Sequence, residues 1–474
     1  MRAINPATGE SFGDEFARST RDELAQMAEA ALEVVDVLAD APSAQLAGFL
    51  DDFAMRLESD RDEIAAIAHA ETALPLTPRL REIEFNRTTG QLRMAANGLR
   101  DESWREVAVD ANNNLRSTLV PLGGAVLCLG PCNFPLAYNG VSGGDFCSAI
   151  MARNPVIAKA HPSHPNTTAR MFAHAVAARD AASLPPASVQ MFFDCANEDG
   201  EALLAHRGVA ALGFTGSRAA GVRLKSVCDA LGKPASLEMA SINPVFVASN
   251  ALTARHDAIA DAWTASLLMA GGQQCTKPGV IFVSGIDAAA RFIARAEHNA
   301  RAVAPAVLLS ESIRTYLSDS ISAWKNVGAS IRCGGNASSP GIRWEPTLLS
   351  VDAAFAALHR DLLHHEAFGP LGVIVICDSD AQLVEFARAL DGQLAGTIVS
   401  DASDANTRHA LQRALRFKVG RMLDEAMPTG VVVSNAMVHG GPFPATGDAR
   451  FTAVGLPASA KRFSKTLCWD RCRA

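Results

Sequence analysis

The sequence predicts an α/β protein with two consecutive parallel sheets, and two observations carry this prediction. Apolar strand-like segments alternate with helix-like segments through residues 125–247, and a second alternation runs through residues 257–399. Such alternation is typical of parallel strands joined by crossover helices. The chain has 474 residues, 49% of them hydrophobic, so it is long enough for two or three domains with large cores.

The first hundred residues predict helices. Apolar residues recur at helical spacing in residues 19–38, 43–71 and 80–99. The first of these helices begins near Thr20, which offers a capping side chain and is followed by acidic residues.

The two alternations supply separate units, with the boundary expected near residues 248–256. In the first unit we expect helices at 140–152 and 167–179, a helix ending at 231, and strands at 115–122, 125–129, 156–159, 189–193, 210–214, 236–238 and 244–247. In the second unit we expect helices at 258–270, 288–302 and 381–390, and strands at 280–283, 372–376 and 396–399.

Composition excludes several classes of partner. The net charge is −7 and no dense basic run occurs, so we expect neither nucleic acid nor a membrane as partner. No apolar run is long enough for a membrane span, and the N-terminal residues lack the apolar stretch of a signal peptide. The ten cysteines are scattered without zinc-type spacing. We therefore expect reduced thiols, a cytoplasmic protein and no metal site.

One cysteine has an unusual setting. Cys275 lies in the glycine-rich stretch of residues 271–279, directly after a predicted helix. Glycines allow close approach of backbone to a ligand, and a deprotonated thiol is a nucleophile. Most cysteines of a cytosolic chain are buried apolar residues, so Cys275 becomes a candidate only together with other residues of the chain.

Polar residues follow several predicted strands, where ligands of open α/β sheets bind. Asn133 follows the strand at 125–129, and its amide can donate to an oxyanion; an Asx turn before Pro135 is the alternative. Lys159 ends the next strand and can reach a ribose or phosphate, or can be a surface charge.

A further turn and two glutamates complete the set. Residues 213–217 lead from a strand into a helix, whose N-terminus can bind phosphate, although the chain contains no GxGxxG motif. Glu238 lies among apolar neighbours and is a candidate general base, with a salt-bridged carboxylate as the alternative. Glu366 precedes a strand and can accept hydrogen bonds from two ribose hydroxyls.

Taken together, these residues resemble the aldehyde dehydrogenase superfamily over nearly the whole chain. Four pieces occur in the order and spacing of that family: Asn133-Phe134-Pro135, Phe214-Thr215-Gly216-Ser217, Gly272-Gln273-Gln274-Cys275 and Glu366-Ala367-Phe368-Gly369-Pro370. The chain is most similar to the 2,5-dioxovalerate (α-ketoglutaric semialdehyde) dehydrogenases and the NADP-dependent fatty aldehyde dehydrogenases. The pieces that suggest this branch are residues 71–75, 87–93, 159–162 and 437–446.

The resemblance implies a mechanism and a site. Cys275 would attack the aldehyde, Asn133 and the Cys275 backbone amide would hold the oxyanion, and Glu238 would activate the water that hydrolyses the thioester. The implied cofactor-binding residues are Lys159, His161, Gly213, Gly216, Ser217, Glu366 and Phe368, with Lys159 at the adenosine ribose and Glu366 at the nicotinamide ribose.

The resemblance also implies three structural parts. Residues 1–112 and 136–247 would form a cofactor-binding domain, and residues 248–436 a catalytic domain. Residues 113–135 and 437–474 would form a small β element for oligomerisation into a homodimer or homotetramer.

Some positions depart from the family pattern. Ala240 stands where relatives have glycine and limits backbone freedom beside Glu238, while Cys132 stands where serine or tryptophan is common. Arg153-Asn154 replaces a glycine and a small residue. Three functions therefore remain open: an active dehydrogenase, a non-catalytic relative that keeps the cofactor site, and an enzyme that transfers the acyl group to coenzyme A.

Two further expectations concern ligand choice. An acidic residue commonly stands three positions after the ribose-binding lysine in NAD-preferring relatives, and Pro162 stands here, so we expect NADP, with NAD also possible. Lys159, and His161 when protonated, would attract the 2′-phosphate. The resemblance, supported by Arg87 and Arg93 on one predicted helix, favours a short aldehyde carrying a carboxylate over a fatty aldehyde.

Overall fold

The computed structural model describes residues 1–450 and 452–471. In this part of the chain the α-helices, α1 to α16 in order, are Arg21–Glu33, Val35–Asp40, Ser43–Ser59, Arg61–Thr72, Phe85–Asp101, Gly144–Met151, Pro165–Ala181, Asn197–Ala205, Arg218–Ala230, Ser249–Leu268, Ile286–Arg301, Glu311–Asn326, Ala353–Leu358, Arg360–Leu363, Asp380–Ala389 and Ala405–Leu415. None of the described helices is both long and apolar enough to cross a membrane.

The strands, β1 to β20 in chain order, connect these helices. They are Ala3–Ile4, Ser11–Phe12, Ala108–Asp110, Leu115–Pro121, Ala125–Leu129, Val156–Lys159, Val189–Phe192, Val209–Thr215, Ala235–Glu238, Val245–Val247, Val280–Ser284, Ala306–Val307, Ser330–Cys333, Ala337–Ser338, Arg343–Trp344, Thr347–Asp352, Leu371–Cys377, Gln393–Val399, Val419–Asp424 and Ser464–Asp470.

A five-stranded parallel sheet organises the first domain, in the order β7-β6-β5-β8-β9. Crossover helices connect its strands, so the predicted α/β class is confirmed. The strands end at one edge of the sheet, and this edge carries Lys159, Thr215 and Glu238. The edge therefore gathers residues that are far apart in sequence.

A seven-stranded sheet organises the second domain, in the order β13-β16-β17-β11-β10-β18-β19. All its pairs are parallel except β13 with β16. Strand β10 lies between β11 and β18, although residues 244–247 were expected in the first unit. The chain therefore changes sheets between Glu238 and Val245, earlier than the predicted boundary, because no helix separates β9 from β10.

A small antiparallel sheet, in the order β20-β4-β3, lies outside both domains. The expected oligomerisation element of residues 113–135 and 437–474 differs from this sheet in two places: β3 lies in residues that were assigned to the cofactor-binding domain, and β5 pairs with β6 and β8 inside the first domain. The apolar alternation of β5 with the helices that follow had already favoured that placement. Residues 472–474, including Cys472, lie outside the described part of the chain.

The helices differ from the predictions mainly in their breaks. The predicted helix at 19–38 divides at Val34, and the predicted helix at 43–71 divides at Asp60. Helix α1 begins as expected: the Thr20 side chain accepts from the Glu23 amide, while Glu23 accepts in return from the Thr20 amide. Other elements were missed, among them α8, α12, α16, β13, β16, β19 and β20.

Candidate active site

A tight turn after α10 presents the cysteine. Ala270, Gly271 and Gly272 all have left-handed backbone, with φ of 51°, 65° and 67°. A Cβ atom at Gly272 would lie 2.2 Å from the Gly369 carbonyl oxygen, so only glycine fits this position. The turn therefore packs the cysteine loop directly against the loop that carries Glu366.

Asn243 fixes the loop from the other side. Its side-chain Nδ2 donates to the carbonyl oxygens of Cys275, at 2.7 Å, and Lys277, at 2.9 Å. Asn243 lies in the segment between the two sheets and has a φ of 44°, a conformation that asparagine tolerates better than most residues. The position of the Cys275 backbone is thus held by the connection between the domains.

Three ionisable side chains meet at the cysteine. The Nε2 atom of His439 lies 3.3 Å from Cys275 Sγ and 2.9 Å from Glu238 Oε1. Glu238 is 5% exposed and His439 is 2% exposed. The other carboxylate oxygen of Glu238, Oε2, is buried and has no hydrogen-bond partner among the described residues. This group, which we call the Cys275 site, brings nucleophile and base into hydrogen-bond contact through one imidazole.

Burial and neighbouring charges determine the protonation states of Cys275 and Glu238 in the free enzyme. Burial raises the pKa of the Cys275 thiol well above its usual range, and the Glu238 carboxylate raises it further. Burial also raises the pKa of Glu238, but the charge and hydrogen bond of His439 outweigh this, and the pKa lies below its usual value. At neutral pH Glu238 is therefore ionised while Cys275 is a thiol, and a proton acceptor stands beside the nucleophile.

The C-terminal segment holds the base in place. The Met239 amide donates to the Ala445 carbonyl oxygen at 2.8 Å, and Glu238 forms an isolated antiparallel bridge with Thr446. His439 is held by its own amide, which donates to Thr452 Oγ1 at 2.8 Å. Residues 437–447 thus supply one member of the Cys275 site and support another.

Asn133 lies beside the cysteine loop. Its side-chain Nδ2 donates to the Gln273 carbonyl oxygen at 2.9 Å, and its own carbonyl accepts from Arg79 at 3.2 Å. An amide nitrogen carries two N–H groups, so one remains for a substrate oxygen.

Two arginines near the Cys275 site lack carboxylate partners within residues 1–450 and 452–471. Arg87 of α5 donates to the Val431 carbonyl oxygen at 3.0 Å and to the Tyr138 hydroxyl at 2.7 Å. Arg421 of β19 donates to carbonyl oxygens of the same loop, those of Pro428 and Gly430. The Nε atom of each arginine is buried without a partner in this part of the chain.

The charges of both arginines act on the cysteine. Burial lowers the pKa of Arg421, and the Cys275 thiolate offsets part of this change. Arg87 in turn lowers the pKa of Cys275, against the larger effects of burial and Glu238. Arg93 lies on the same helix as Arg87 but binds Glu58 on the surface, through hydrogen bonds of 2.6 and 2.7 Å.

The predicted adenosine-side residues lie at the end of β6. Lys159 Nζ donates to the Ala160 carbonyl oxygen at 3.3 Å. Burial lowers the pKa of His161 well below its usual value, with further lowering by His164 and Lys159. Attraction of a 2′-phosphate by a protonated His161 therefore requires a pH below neutral. A carboxylate is also present: Asp194, bound to Arg18 at 3.0 Å, is close enough to raise the pKa of Lys159, which burial lowers.

The predicted phosphate turn lies at the end of β8. A Cβ atom at Gly216 would lie 2.7 Å from the Phe214 ring, and one at Gly213 would lie 2.8 Å from an Asp145 carboxylate oxygen. Ser217 caps α9 by accepting from the Ala220 amide at 3.3 Å. The turn leads directly into the N-terminus of α9, whose free amides suit a phosphate.

Glu366 and Phe368 lie across from this turn, on the loop before β17. Glu366 Oε1 is buried without a partner among the described residues. Burial raises the pKa of Glu366, and Lys277 partly offsets this. Lys277 is itself buried and donates to the carbonyl oxygens of Ala367, Gly369 and Leu371, which ties the cysteine loop to this loop. Phe368 is partly buried against the core of the first domain.

The departures from the family pattern are accommodated locally. Ala240 is not among the residues with positive φ, so alanine imposes no strain of this kind beside Glu238. Burial raises the pKa of Cys132 to about 12, and Cys132 and Cys275 are both free thiols. Arg153 has a φ of 66° and donates to the Ala39 carbonyl oxygen at 3.1 Å, which anchors the α2–α3 connection.

The sequence reasoning missed the roles of three residues. His439 was part of a family-like piece, next to a glycine pair. Nothing in the sequence indicated that it contacts Cys275 and Glu238, which lie 164 and 201 positions away. Asn243 and Arg421 also had no local signal. Only the packing of the two sheets and the C-terminal segment brings these side chains to Cys275.

Comparison with known proteins places the chain in a family. The model of the aldehyde dehydrogenase family matches residues 1–440. The α-ketoglutaric semialdehyde dehydrogenase of Acinetobacter baylyi is 34% identical, over 99% of this chain and 90% of that protein. The enzyme called α-ketoglutaric semialdehyde dehydrogenase 2 of Azospirillum brasilense is 35% identical, over 99% and 91%.

Solved structures agree with this placement at the level of the fold. A glyceraldehyde-3-phosphate dehydrogenase of Methanocaldococcus jannaschii in complex with NADP has a TM-score of 0.81 at 20% identity, with 99% of each chain covered. An NAD⁺ complex of an aldehyde dehydrogenase from Bacillus cereus has a TM-score of 0.83 at 18% identity, over 99% of this chain and 92% of that one.

The chain belongs to the aldehyde dehydrogenase family. It is an NAD(P)-dependent aldehyde oxidoreductase, as its sequence motifs predicted.

Proposed function

We propose that this enzyme oxidises a short aldehyde bearing a carboxylate, 2,5-dioxovalerate, to 2-oxoglutarate through a thioester on Cys275. The observation that carries the proposal is the hydrogen-bonded arrangement of Cys275, His439 and Glu238. It supplies a nucleophile, a proton acceptor and a group that orients both.

The first step is attack of the thiol on the aldehyde carbon. The Cys275 proton passes to the ionised Glu238, while the Nε2 of His439 lies between the two groups and steadies the thiolate. The new oxyanion accepts from the free N–H of Asn133 and from the Cys275 amide. Glu238 must lose its proton to solvent before it can act again.

The cofactor residues fit a dinucleotide with two riboses. Glu366 has a buried oxygen without a partner in the described chain, and Lys159 has one weak backbone acceptor, so both have capacity for ribose hydroxyls. Gly216 and Ser217 lie at the start of α9, where a pyrophosphate would meet free amides. The nicotinamide, when bound, supplies the acceptor for the hydride of the thiohemiacetal. Phe368 would pack near that ring.

The second step is hydrolysis. Glu238, ionised again, takes a proton from the water molecule that attacks the thioester and passes it to the departing Cys275 sulfur, which becomes the thiol. The product acid loses its own proton to solvent and leaves as the carboxylate. A buried base at this position favours water over coenzyme A as acyl acceptor.

Unpaired positive charge supports a carboxylate in the substrate. Arg87 and Arg421 are half-buried near Cys275 and, within the described residues, neither has a carboxylate partner. A buried charge without a counter-ion is unfavourable, so an anionic substrate would be bound strongly there. The relatives named α-ketoglutaric semialdehyde dehydrogenase point to the same chemistry. A fatty aldehyde, the alternative, offers these arginines no partner.

We keep NADP as the proposed cofactor, with NAD as the alternative. Pro162 adds no negative charge near Lys159, and the charge of Asp194 is offset by Arg18. A kcat/KM for NAD more than tenfold above that for NADP would contradict this choice.

The small β20-β4-β3 sheet is the proposed site of subunit assembly. Val109, 68% exposed, and Leu467, 41% exposed, lie on the small β20-β4-β3 sheet and suit an interface of a cytoplasmic homodimer or homotetramer.

Replacement Glu238→Gln tests the mechanism. In Glu238→Gln the pre-steady-state burst of reduced cofactor should be slower than in the parent enzyme, because glutamine cannot take the Cys275 proton, and the steady rate should fall further, because the thioester accumulates without a base to activate water. Added coenzyme A should not restore turnover. An equal fall of burst and steady rates would show that Glu238 acts chiefly in the first step, and absence of reduced cofactor in the parent enzyme would favour a non-catalytic relative.

A further inference from the structure

The three ionisable groups of the Cys275 site also form a set of metal ligands. The sulfur of Cys275, a ring nitrogen of His439 and a carboxylate oxygen of Glu238 all lie within 4.8 Å of one another. The sequence predicted no metal site, because these residues share no metal-binding spacing. We propose that a soft divalent cation, Zn²⁺ in the first place, binds these three side chains and reversibly inhibits the enzyme.

The geometry is close to that of a tetrahedral zinc site. With Zn–S of about 2.3 Å and Zn–N and Zn–O of about 2.0 Å, a tetrahedral ion separates sulfur from nitrogen by about 3.5 Å and nitrogen from oxygen by about 3.3 Å. The corresponding distances are 3.3 Å and 2.9 Å. Shifts of a few tenths of an ångström therefore bring these two pairs to tetrahedral spacing, and the Cys275 sulfur lies within 4.8 Å of the Glu238 carboxylate oxygen.

The chemistry of the donors selects the cation. One sulfur, one imidazole nitrogen and one carboxylate oxygen are the ligand types of zinc, and three protein ligands leave a fourth position for water. Mg²⁺ and Ca²⁺ prefer oxygen ligands and more of them. The buried, unpartnered Oε2 of Glu238 adds a second acceptor that the described chain leaves free.

Binding would remove the nucleophile. On coordination the Cys275 thiol loses its proton to solvent and its sulfur electron pair bonds to the ion, without any change of oxidation state. The same step occupies Glu238 and His439. Inhibition should therefore be competitive with aldehyde, reversed by a chelator, and independent of which aldehyde the enzyme uses.

The test uses Co²⁺ as a spectroscopic substitute for Zn²⁺ in the full-length enzyme without aldehyde. One Co²⁺ per chain should give a cobalt–thiolate charge-transfer band that Zn²⁺ abolishes and Mg²⁺ does not. Cys275→Ser should remove the band. His439→Asn and Glu238→Gln should each weaken Zn²⁺ binding by at least about tenfold, since even the loss of a supporting group near a metal has effects of this size.

Two controls make the outcome decisive. Cys468→Ser removes an exposed thiol on β20 and should leave the band and the affinity unchanged. Thermal unfolding of each variant checks that it is folded. Unchanged Zn²⁺ affinity in folded His439→Asn and Glu238→Gln would overturn the proposal, as would a band that survives in Cys275→Ser. Because the band is measured without turnover, it tests the metal site independently of the proposed dehydrogenase reaction.

Discussion

The Cys275 site and the region around Lys159 differ in how their charges are balanced. At the Cys275 site an ionised Glu238 lies against His439, and two arginines nearby have no carboxylate partner in the described chain. Around Lys159 the charges of Asp194 and Arg18 pair with each other, and burial keeps two stacked histidines, His161 and His164, neutral. The first region holds positive charge that the protein does not neutralise with carboxylates, and the second region holds little such unpaired charge.

This difference indicates what each region recognises. Excess charge that is partly buried is stable only with a ligand of opposite charge, whereas neutral imidazoles and one lysine suit hydroxyl groups and a single phosphate. The Cys275 end would therefore select the aldehyde by its charge. The Lys159 end would hold the dinucleotide more by shape and hydrogen bonding.

The largest effect should come from Cys275→Ala. Turnover should fall by about 10³-fold or more, since the variant lacks the covalent nucleophile, while cofactor binding should persist because the Lys159 region is untouched. Steady-state rates and fluorescence titration of the reduced cofactor measure the two properties. Cys468→Ala serves as the matched control, and more than a few per cent residual rate in Cys275→Ala would rule out this residue as nucleophile.

His439→Asn sharpens the comparison at the charged end. We expect kcat to fall by about 10²-fold, the size of the effect when a group that stabilises a developing charge is lost. His439 lowers the pKa of Glu238, so this pKa should rise in the variant and activity should be lost at a higher pH as the solution is acidified. The pH profile of kcat measures the shift. A lower rate with an unshifted acid limb would mean that His439 only supports the structure.

Arg421→Met tests whether the positive charge of Arg421 binds the substrate carboxylate. The KM for 2,5-dioxovalerate should rise about 10- to 100-fold, the range for hydrogen bonds to a charged group, while the KM for decanal should stay constant. Arg93→Met is the matched control, because Arg93 is already neutralised by Glu58. Equal kcat/KM of the parent enzyme for both aldehydes would remove the distinction between the two regions.

The smallest effect is expected at the other end, from Asp194→Asn. Removing this carboxylate near Lys159 should raise kcat/KM for NADP relative to NAD by about fivefold, equivalent to about 1 kcal/mol of screened repulsion. Kinetics with both cofactors at saturating aldehyde give the ratio. If the ratio does not change, Asp194 is fully neutralised by Arg18.

The same contrast explains what the sequence could predict. The residues around Lys159 lie within one strand end and the turn after it, so hydrophobic alternation was enough to place them. The parallel sheets were likewise predictable, because β5, β6 and β8 are mostly apolar runs that alternate with helical segments. Local pattern did not reveal that β10 belongs to the second sheet, since a strand's partner depends on contacts outside its own sequence.

The Cys275 site could be predicted only in part. Cys275 lies in a family-like piece and Glu238 was a candidate base because of its apolar neighbours, but the contact of each with His439 joins residues more than 160 positions apart. The resting thiol of Cys275 was also not foreseeable. It results from burial and from the proximity of Glu238, which no linear spacing expresses.

Residues 437–447 affect how the enzyme would lose activity on heating. This segment belongs to neither large sheet, yet it supplies His439 and supports Glu238 through Ala445 and Thr446. Loosening it leaves the hydrogen bonds of both sheets intact but separates base from nucleophile. We therefore expect activity to disappear at a lower temperature than the one at which the domains melt. Heat resistance of the catalyst and of the fold are separate properties, and improving the second would leave the first unchanged.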